Sequence, residues 1–263
     1  MPEALLLRHL DVRAGKTSLT EDISLTLEEG ESVALIGHSG SGKSLTAAAI
    51  TGGLSRQLDA TGELAFDGTP VEVSSPLRPP GCVAAVGQDS SAALNPLARV
   101  AAQLHVPLHR RGLSRDAARA RATELLDACG IEEPLRVLRS YPAELSGGQR
   151  QRVCIALALA CEAKLLVADE PTTALDVVSQ AHVLDTLAAA RERAGLALLF
   201  ITHDLAAASQ ICDRAVVLQG GRIVEEGTFG ALVASPQHPY TRELVDAVSS
   251  PPTAGIRAQE CAA

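Results

Sequence analysis

The chain has 263 residues, enough for one large α/β domain and too few for two such domains in tandem. A formal net charge of −8, with aromatic residues at 2% and no Trp, excludes a nonspecific nucleic-acid binder, which needs clustered Lys and Arg and rings for bases to stack on. Hydrophobic residues at 46% supply a substantial core, built from small and aliphatic side chains.

The first residues, Met1 to Arg8, lack a basic start followed by a long apolar region, so no signal peptide is expected. No run of about 18 uncharged apolar residues occurs, so the chain is not expected to cross a membrane itself. Leu5-Leu6-Leu7 is a first apolar run, and the period of two at Ile23, Leu25 and Leu27 predicts an antiparallel strand with one covered face. Glu28-Glu29-Gly30-Glu31 turns the chain into Ser32-Val33-Ala34-Leu35-Ile36, a short buried strand.

Next comes Gly37-His38-Ser39-Gly40-Ser41-Gly42-Lys43-Ser44, which fits G-x-x-x-x-G-K-[ST] at every fixed position. Leu45 to Ile50 reads as the first turns of a helix, closed by Thr51-Gly52-Gly53. Strand, loop and helix are the context a phosphate-binding loop needs, and they weigh against a chance Gly/Ser-rich turn. Gly37, Gly40 and Gly42 let the backbone curl so that successive N–H groups from His38, Ser39, Ser41 and their neighbours point at one anion. Lys43 adds a point charge for the β and γ phosphates, and Ser44 a hydroxyl for Mg²⁺.

Gly62 to Gly68 predicts a strand closed by an Asp-Gly turn, after which Pro76, Pro79 and Pro80 break the chain into a surface loop. Cys82 to Gly87 predicts a core strand with Gln88 at its end, a position where a glutamine is ordinarily a solvated amide. From about 97 to 162 the spacing becomes helical, with Leu125, Leu126 and Cys129 on one face and many arginines on others; such a charge-rich face is usually solvated, and most of these arginines are given no function. This block predicts an inserted helical subdomain punctuated by Pro134 and Pro142. Cysteines stand at 82, 129, 154, 161, 212 and 261 with no C-x-x-C pair, as expected for reduced thiols in a cytosolic protein, and Cys154 and Cys161 read as small core residues.

Leu145-Ser146-Gly147-Gly148-Gln149-Arg150-Gln151-Arg152 precedes an apolar helix from Val153. Ser146 fits an ordinary helix N-cap, and the glycine pair also lets backbone N–H groups approach an anion. Leu165-Leu166-Val167-Ala168-Asp169-Glu170 predicts a buried parallel strand delivering two acids to the carboxyl edge of a sheet, where ligands sit in open α/β folds. A solvated turn is the common reading of an isolated Asp-Glu. Beside a phosphate loop, Asp169 suits Mg²⁺ held through water, and Glu170 suits polarising the attacking water. Asp176 stands as N-cap before a helix running from Val177 toward Arg193. Leu196 to Ile201 is another buried strand ending in Thr202-His203-Asp204, where a lone histidine is usually structural. Residues 215–218 and 222–225, joined by Gln219-Gly220-Gly221, predict a hairpin.

Taken together, these motifs resemble the nucleotide-binding subunits of ATP-binding cassette (ABC) transporters, from about residue 5 to residue 245. The phosphate loop matches at 37 to 44, the glutamine loop at Gln88, the signature at Leu145 to Gln149, the acid-ended strand at 165 to 170, the D-loop at Asp176 and the switch histidine at His203. The resemblance implies an α/β, P-loop NTPase (RecA-like) core with an antiparallel β subdomain and an inserted α-helical subdomain. It implies one domain over 1–250, with the core at about 1–96 and 163–235, the helical part at about 97–162, and a short tail at 251–263. It further implies ATP and Mg²⁺ as cofactors, with Glu170, His203 and Gln88 in catalysis and Ser44, Gln88 and Asp169 at the metal.

In such cassettes two copies stack head to tail, so Ser146, Gly147, Gly148 and Gln149 of one, with Asp176, would complete the nucleotide site of the other. Expected partners are a second, related ATPase subunit, two membrane permeases and an extracytoplasmic solute-binding protein, with the chain peripheral on the cytoplasmic face of the membrane and no nucleic acid bound. Pro171 to Ala181, Ala93-Leu94-Asn95-Pro96 and His238-Pro239-Tyr240-Thr241-Arg242 are similar to the peptide/nickel importer group, and Glu162 and the short tail lean toward its nickel branch. Two departures stand out. The adenine-stacking aromatic near positions 12 to 15 is replaced by Val12-Arg13-Ala14-Gly15, leaving the guanidinium plane of Arg13 for the base. Only Cys261 lies in the tail, so no iron–sulfur cluster is expected. A non-transport ABC ATPase of DNA maintenance or translation is the alternative, but its usual tandem cassettes, coiled coils or zinc insertions are not visible. Lys43, Asp169, Glu170 and His203 are all present, against a cassette that binds without hydrolysing.

Overall fold

The computed structural model describes residues 3–173 and 175–249. The first half contains β1 (Glu3–Ala14), β2 (Thr17–Glu28), β3 (Ser32–Ile36), α1 (Lys43–Thr51), β4 (Asp59–Phe66), β5 (Thr69–Val71), β6 (Val83–Val86) and α2 (Ser90–Ala93). A helical stretch follows, with α3 (Val100–Arg110), α4 (Arg115–Ala128), α5 (Pro134–Arg139), a 3₁₀ turn at Pro142–Glu144, and α6 (Gly147–Ala160). The remainder alternates β7 (Leu165–Asp169), α7 (Val177–Ala194), β8 (Ala197–Thr202), α8 (Leu205–Ile211), β9 (Arg214–Gln219), β10 (Arg222–Thr228), α9 (Phe229–Ala234) and α10 (Pro239–Ser249).

Two sheets result. β2-β1-β4-β5 is antiparallel, and β10-β9-β3-β8-β7-β6 is parallel except for β10. The strand period of two divides the core into two layers. Val33, Leu35, Val167, Leu199 and Ile201 face α1 and the antiparallel sheet, while Ala34, Ile36, Leu166, Ala168 and Phe200 face the helical layer. That second layer continues without a break into Leu104, Leu125, Leu126 and Cys129 of α3, α4 and the loop beyond, so α6 packs at once on β6 and on α3, α4 and α7. Among the described residues no helix is long and apolar enough to cross a membrane.

The strands at 23–27, 32–36, 165–169 and 197–202 and the Asp67-Gly68 and Gly220-Gly221 turns lie where the sequence predicts them, both turns with two positive φ angles. Two readings are corrected. Cys82 to Gly87 is not a core strand: β6 is the edge of the parallel sheet, with Ala85 exposed and Val83 and Ala84 only half buried. Cys161 is exposed as the C-cap of α6, because the apolar run ends one residue earlier; Cys154 is buried, which pushes its thiol up to about 11. Not all arginines of the helical block are solvated. Arg150 donates to the Leu145 carbonyl at 2.6 Å and Arg152 to the Gly130 carbonyl at 2.7 Å, bracing the start of α6. The five described cysteines are free thiols, and Cys261 with the tail lies outside the described residues.

The Gly220-Gly221 turn holds the loop at 37–44 from one side. Gly221 donates its N–H to the Ser41 carbonyl at 3.1 Å and accepts from the Glu21 N–H at 2.8 Å. Its φ is +80°, and a Cβ there would stand 2.6 Å from the Leu19 carbonyl oxygen. Gly221→Ala is therefore expected to destabilise the fold by about 2 kcal/mol through left-handed strain and overpacking. A thermal melt should show a fall of about 4–8 °C; an unchanged melt would mean the hairpin and the loop do not pack this closely.

Candidate active site

Strand register places several of the candidate residues at one edge. Ile36 pairs with Thr202, Asp169 with Ile201 and Val86 with Ala168, so Gly37, His203, Asp169-Glu170 and Gly87-Gln88 all emerge at the carboxyl ends of adjacent parallel strands. The loop from Gly37 then curls into α1, whose N-cap Gly42 has φ +107°. Gly37 has no room for a side chain, since a Cβ would run into the Leu218 carbonyl oxygen.

Lys43 is 5% exposed and donates its ammonium to the carbonyls of Gly37 at 2.7 Å and His38 at 2.9 Å. Burial pulls its pKa down, opposed by the nearby Glu170 and Asp169 carboxylates. Asp169 is the mirror case. Burial pushes its carboxyl up, with the Ser44 hydroxyl opposing, Glu170 adding to the rise and Lys43 countering it. Its Oδ1 is buried with no hydrogen-bond partner, which leaves one acceptor of the carboxyl unsatisfied. A hard cation beside Asp169 and Ser44 would satisfy it, so this donor set fits Mg²⁺, which takes carboxylate and hydroxyl oxygens and keeps several waters.

Glu170 sits at φ +47°, a left-handed conformation unusual for a side-chain-bearing residue, held by its N–H donating to the Ile201 carbonyl at 2.8 Å. Thr173 donates its hydroxyl to Oε2 at 2.9 Å, and Nδ1 of His203 stands 3.4 Å from Oε1. The side chain of His203 is 61% exposed and that of Glu170 20% exposed, so the pair faces outward from the sheet edge. Gln88 is exposed just beyond β6, and the preceding Gly87 carbonyl accepts from Nε2 of Gln151 at 3.3 Å.

Ser146, Gly147, Gly148 and Gln149 form a second group. Ser146 Oγ accepts from the Gln149 N–H, and Gln149 Oε1 from the Ser146 N–H, each at 3.2 Å, a reciprocal capping box. A Cβ on Gly148 would lie 2.9 Å from Ser179 Oγ, and one on Gly147 would be 3.9 Å from Leu175, so this group abuts the start of α7. There Asp176 caps α7, accepting from the N–H of Ser179 at 2.9 Å and its hydroxyl at 2.7 Å, which holds its carboxyl below the ordinary range. The structure thus brings Lys43, Ser44, Asp169, Glu170 and His203 together, and gathers Ser146 to Gln149 with Asp176 separately. Arg13 is exposed near the end of β1.

Sequence reasoning assigned no role to Thr173, Asp204 or Tyr240. Asp204 caps α8 and accepts from Gln180 of α7 at 3.3 Å, tying the strand end bearing His203 to the helix behind Asp176. The His-Pro-Tyr run at 238–240 was visible only as a string of residues; Tyr240 in fact reaches His38, 202 positions away.

A parallel sheet with a G-x-x-x-x-G-K-[ST] loop, a buried lysine and two acids at one edge is the arrangement of the P-loop nucleotide-binding fold. The ABC transporter family pattern matches residues 20–173, and the chain belongs to that family. It is 43% identical over 233 residues to the oligopeptide transport ATP-binding protein OppD of Mycobacterium tuberculosis, covering 86% of this chain and 38% of that protein. It is 40% identical over 264 residues to the probable peptide ABC transporter ATP-binding protein y4tR of Sinorhizobium fredii, covering 94% and 78%. The chain therefore spans well under half the length of OppD and most of y4tR. Among solved structures, the ATP-binding cassette MJ0796, dimeric in a post-hydrolysis state with ADP and Pi, superposes with a TM-score of 0.72 at 28% identity, covering 86% of this chain and 98% of that one.

Proposed function

We propose that the chain is the ATP-hydrolysing subunit of an ABC importer of the peptide group. The observation that carries this reading is the meeting of Lys43, Asp169, Glu170 and His203 at one sheet edge. Backbone N–H groups of 37–44 cradle the phosphates, and Lys43 offsets charge on the β and γ groups. Ser44, Asp169 and Gln88 would hold Mg²⁺, which when bound would supply Lewis-acid neutralisation of the phosphate oxygens. Glu170 accepts the proton of a water attacking the γ-phosphorus, and His203 and Thr173 fix the carboxylate that does so. The bond between the γ-phosphorus and the β–γ bridging oxygen breaks, leaving ADP and phosphate.

In this reading Ser146, Gly147, Gly148, Gln149 and Asp176 serve the nucleotide of a second cassette, and the dimeric state of MJ0796 supports that arrangement. The remaining partners are two membrane permeases and an extracytoplasmic binding protein, with the subunit peripheral on the cytoplasmic face. In this reading the domain has a core at about 1–96 and 163–235 and a helical part at about 97–162, joined by one continuous apolar layer. The names of OppD and y4tR favour peptide over nickel as the solute.

Lys43→Ala tests the cradle. Loss of charge-assisted contacts predicts ATP affinity weakened about 10–100-fold in the isolated subunit, read by titration with magnesium present. Unchanged affinity would remove the phosphate-binding assignment of 37–44.

A further inference from the structure

The peptide group joining Gly37 to His38 is bonded at both ends. Its carbonyl accepts the Lys43 ammonium at 2.7 Å, and its N–H donates to the hydroxyl of Tyr240 at 2.7 Å. A peptide unit is planar, so a partner at the N–H fixes the direction of the C=O. A donated N–H also polarises the unit and makes its carbonyl a better acceptor. Tyr240 and Lys43 therefore act on opposite ends of one rigid group, although they come from the last and first of the described helices.

Tyr240 is itself held firmly. It is 8% exposed, and its ring meets that of His38 edge-on, with centroids 5.7 Å apart and planes at 85°. The segment leading to it is fastened to β10, because the two carboxylate oxygens of Glu225 accept the N–H groups of Gln237 and His238, each at 2.8 Å. The Tyr240 N–H then donates to Nδ1 of His238 at 3.3 Å. A continuous set of bonds runs from β10 through 237–240 to the first peptide of the phosphate loop.

We propose that Tyr240 is a positioning residue for ATP binding: its hydroxyl orients the Gly37–His38 peptide, and through that carbonyl sets where Lys43 presents its charge. This rests on 37–44 being the ATP site. Tyr240→Phe keeps the ring packing and removes only the oxygen. In the full chain with magnesium and a fluorescent ATP analogue, the variant is expected to bind about five- to tenfold more weakly, the worth of one hydrogen bond, with its apo melting temperature within about 2 °C of the parent.

The same substitution in a Lys43→Ala background distinguishes positioning from general loosening. Acting through Lys43, it should cost nothing further there, a non-additive cycle. An unchanged affinity for Tyr240→Phe overturns the proposal, and so does an equal loss in the Lys43→Ala background. If the parent chain binds the analogue no better than Lys43→Ala, the ATP-site reading itself fails instead.

Discussion

Glu170→Gln should lower ATP turnover by about 10²–10⁴-fold while leaving ATP affinity intact, the loss expected when a general base can no longer take a proton. The substitution is nearly isosteric, and its surroundings tolerate it. The backbone at φ +47° is held by the Ile201 carbonyl whatever the side chain, and Thr173 can still donate to the amide oxygen. What disappears is a carboxylate beside Lys43 and facing His203. Removing a negative charge next to the phosphates does not weaken binding. Phosphate release by the assembled complex, with nucleotide affinity measured in parallel, reads both halves. Near-normal turnover would put the base elsewhere and reduce the strained backbone at Glu170 to a feature of the turn.

The chemistry-bearing strands were legible because they carry redundant local signals. Residues 33–36 and 165–168 are continuous apolar runs bounded by glycine or acids, a pattern that suits a strand covered on both faces. The Asp67-Gly68 and Gly220-Gly221 pairs announce their turns in the same way. Val83 to Val86 was overread because four small apolar residues look the same in the centre of a sheet and at its edge; that position is decided by which strand pairs on the far side. Arg150 and Arg152 were underread for a related reason, since an arginine that braces a carbonyl has the same spacing as one in solvent. Tyr240 and Gly221 lay furthest out of reach. Each touches the 37–44 loop from far along the chain, with Tyr240 lying 202 residues from His38, and no period or motif encodes a contact of that separation.

Ser146→Arg should leave nucleotide binding to the isolated subunit unaltered and reduce ATPase activity of the assembled complex by about 10²–10³-fold, the scale of losing a preorganised donor at developing charge. The capping role of Ser146 does not compete with this one. Its oxygen accepts from the Gln149 N–H, and a hydroxyl that accepts keeps its proton to donate outward. The residue is exposed, and Gly148 behind it is pressed on Ser179, so an arginine has no room to fold inward and must project from the surface. Loss of the cap costs about 1 kcal/mol of stability, too little to unfold a domain of this size, and a melt of the isolated variant accounts for it separately. The two measurements then part the possibilities. A defect confined to the complex places the missing half of each site on the neighbouring cassette, whereas a normal rate in the complex would show that Lys43, Asp169, Glu170 and His203 suffice within one chain.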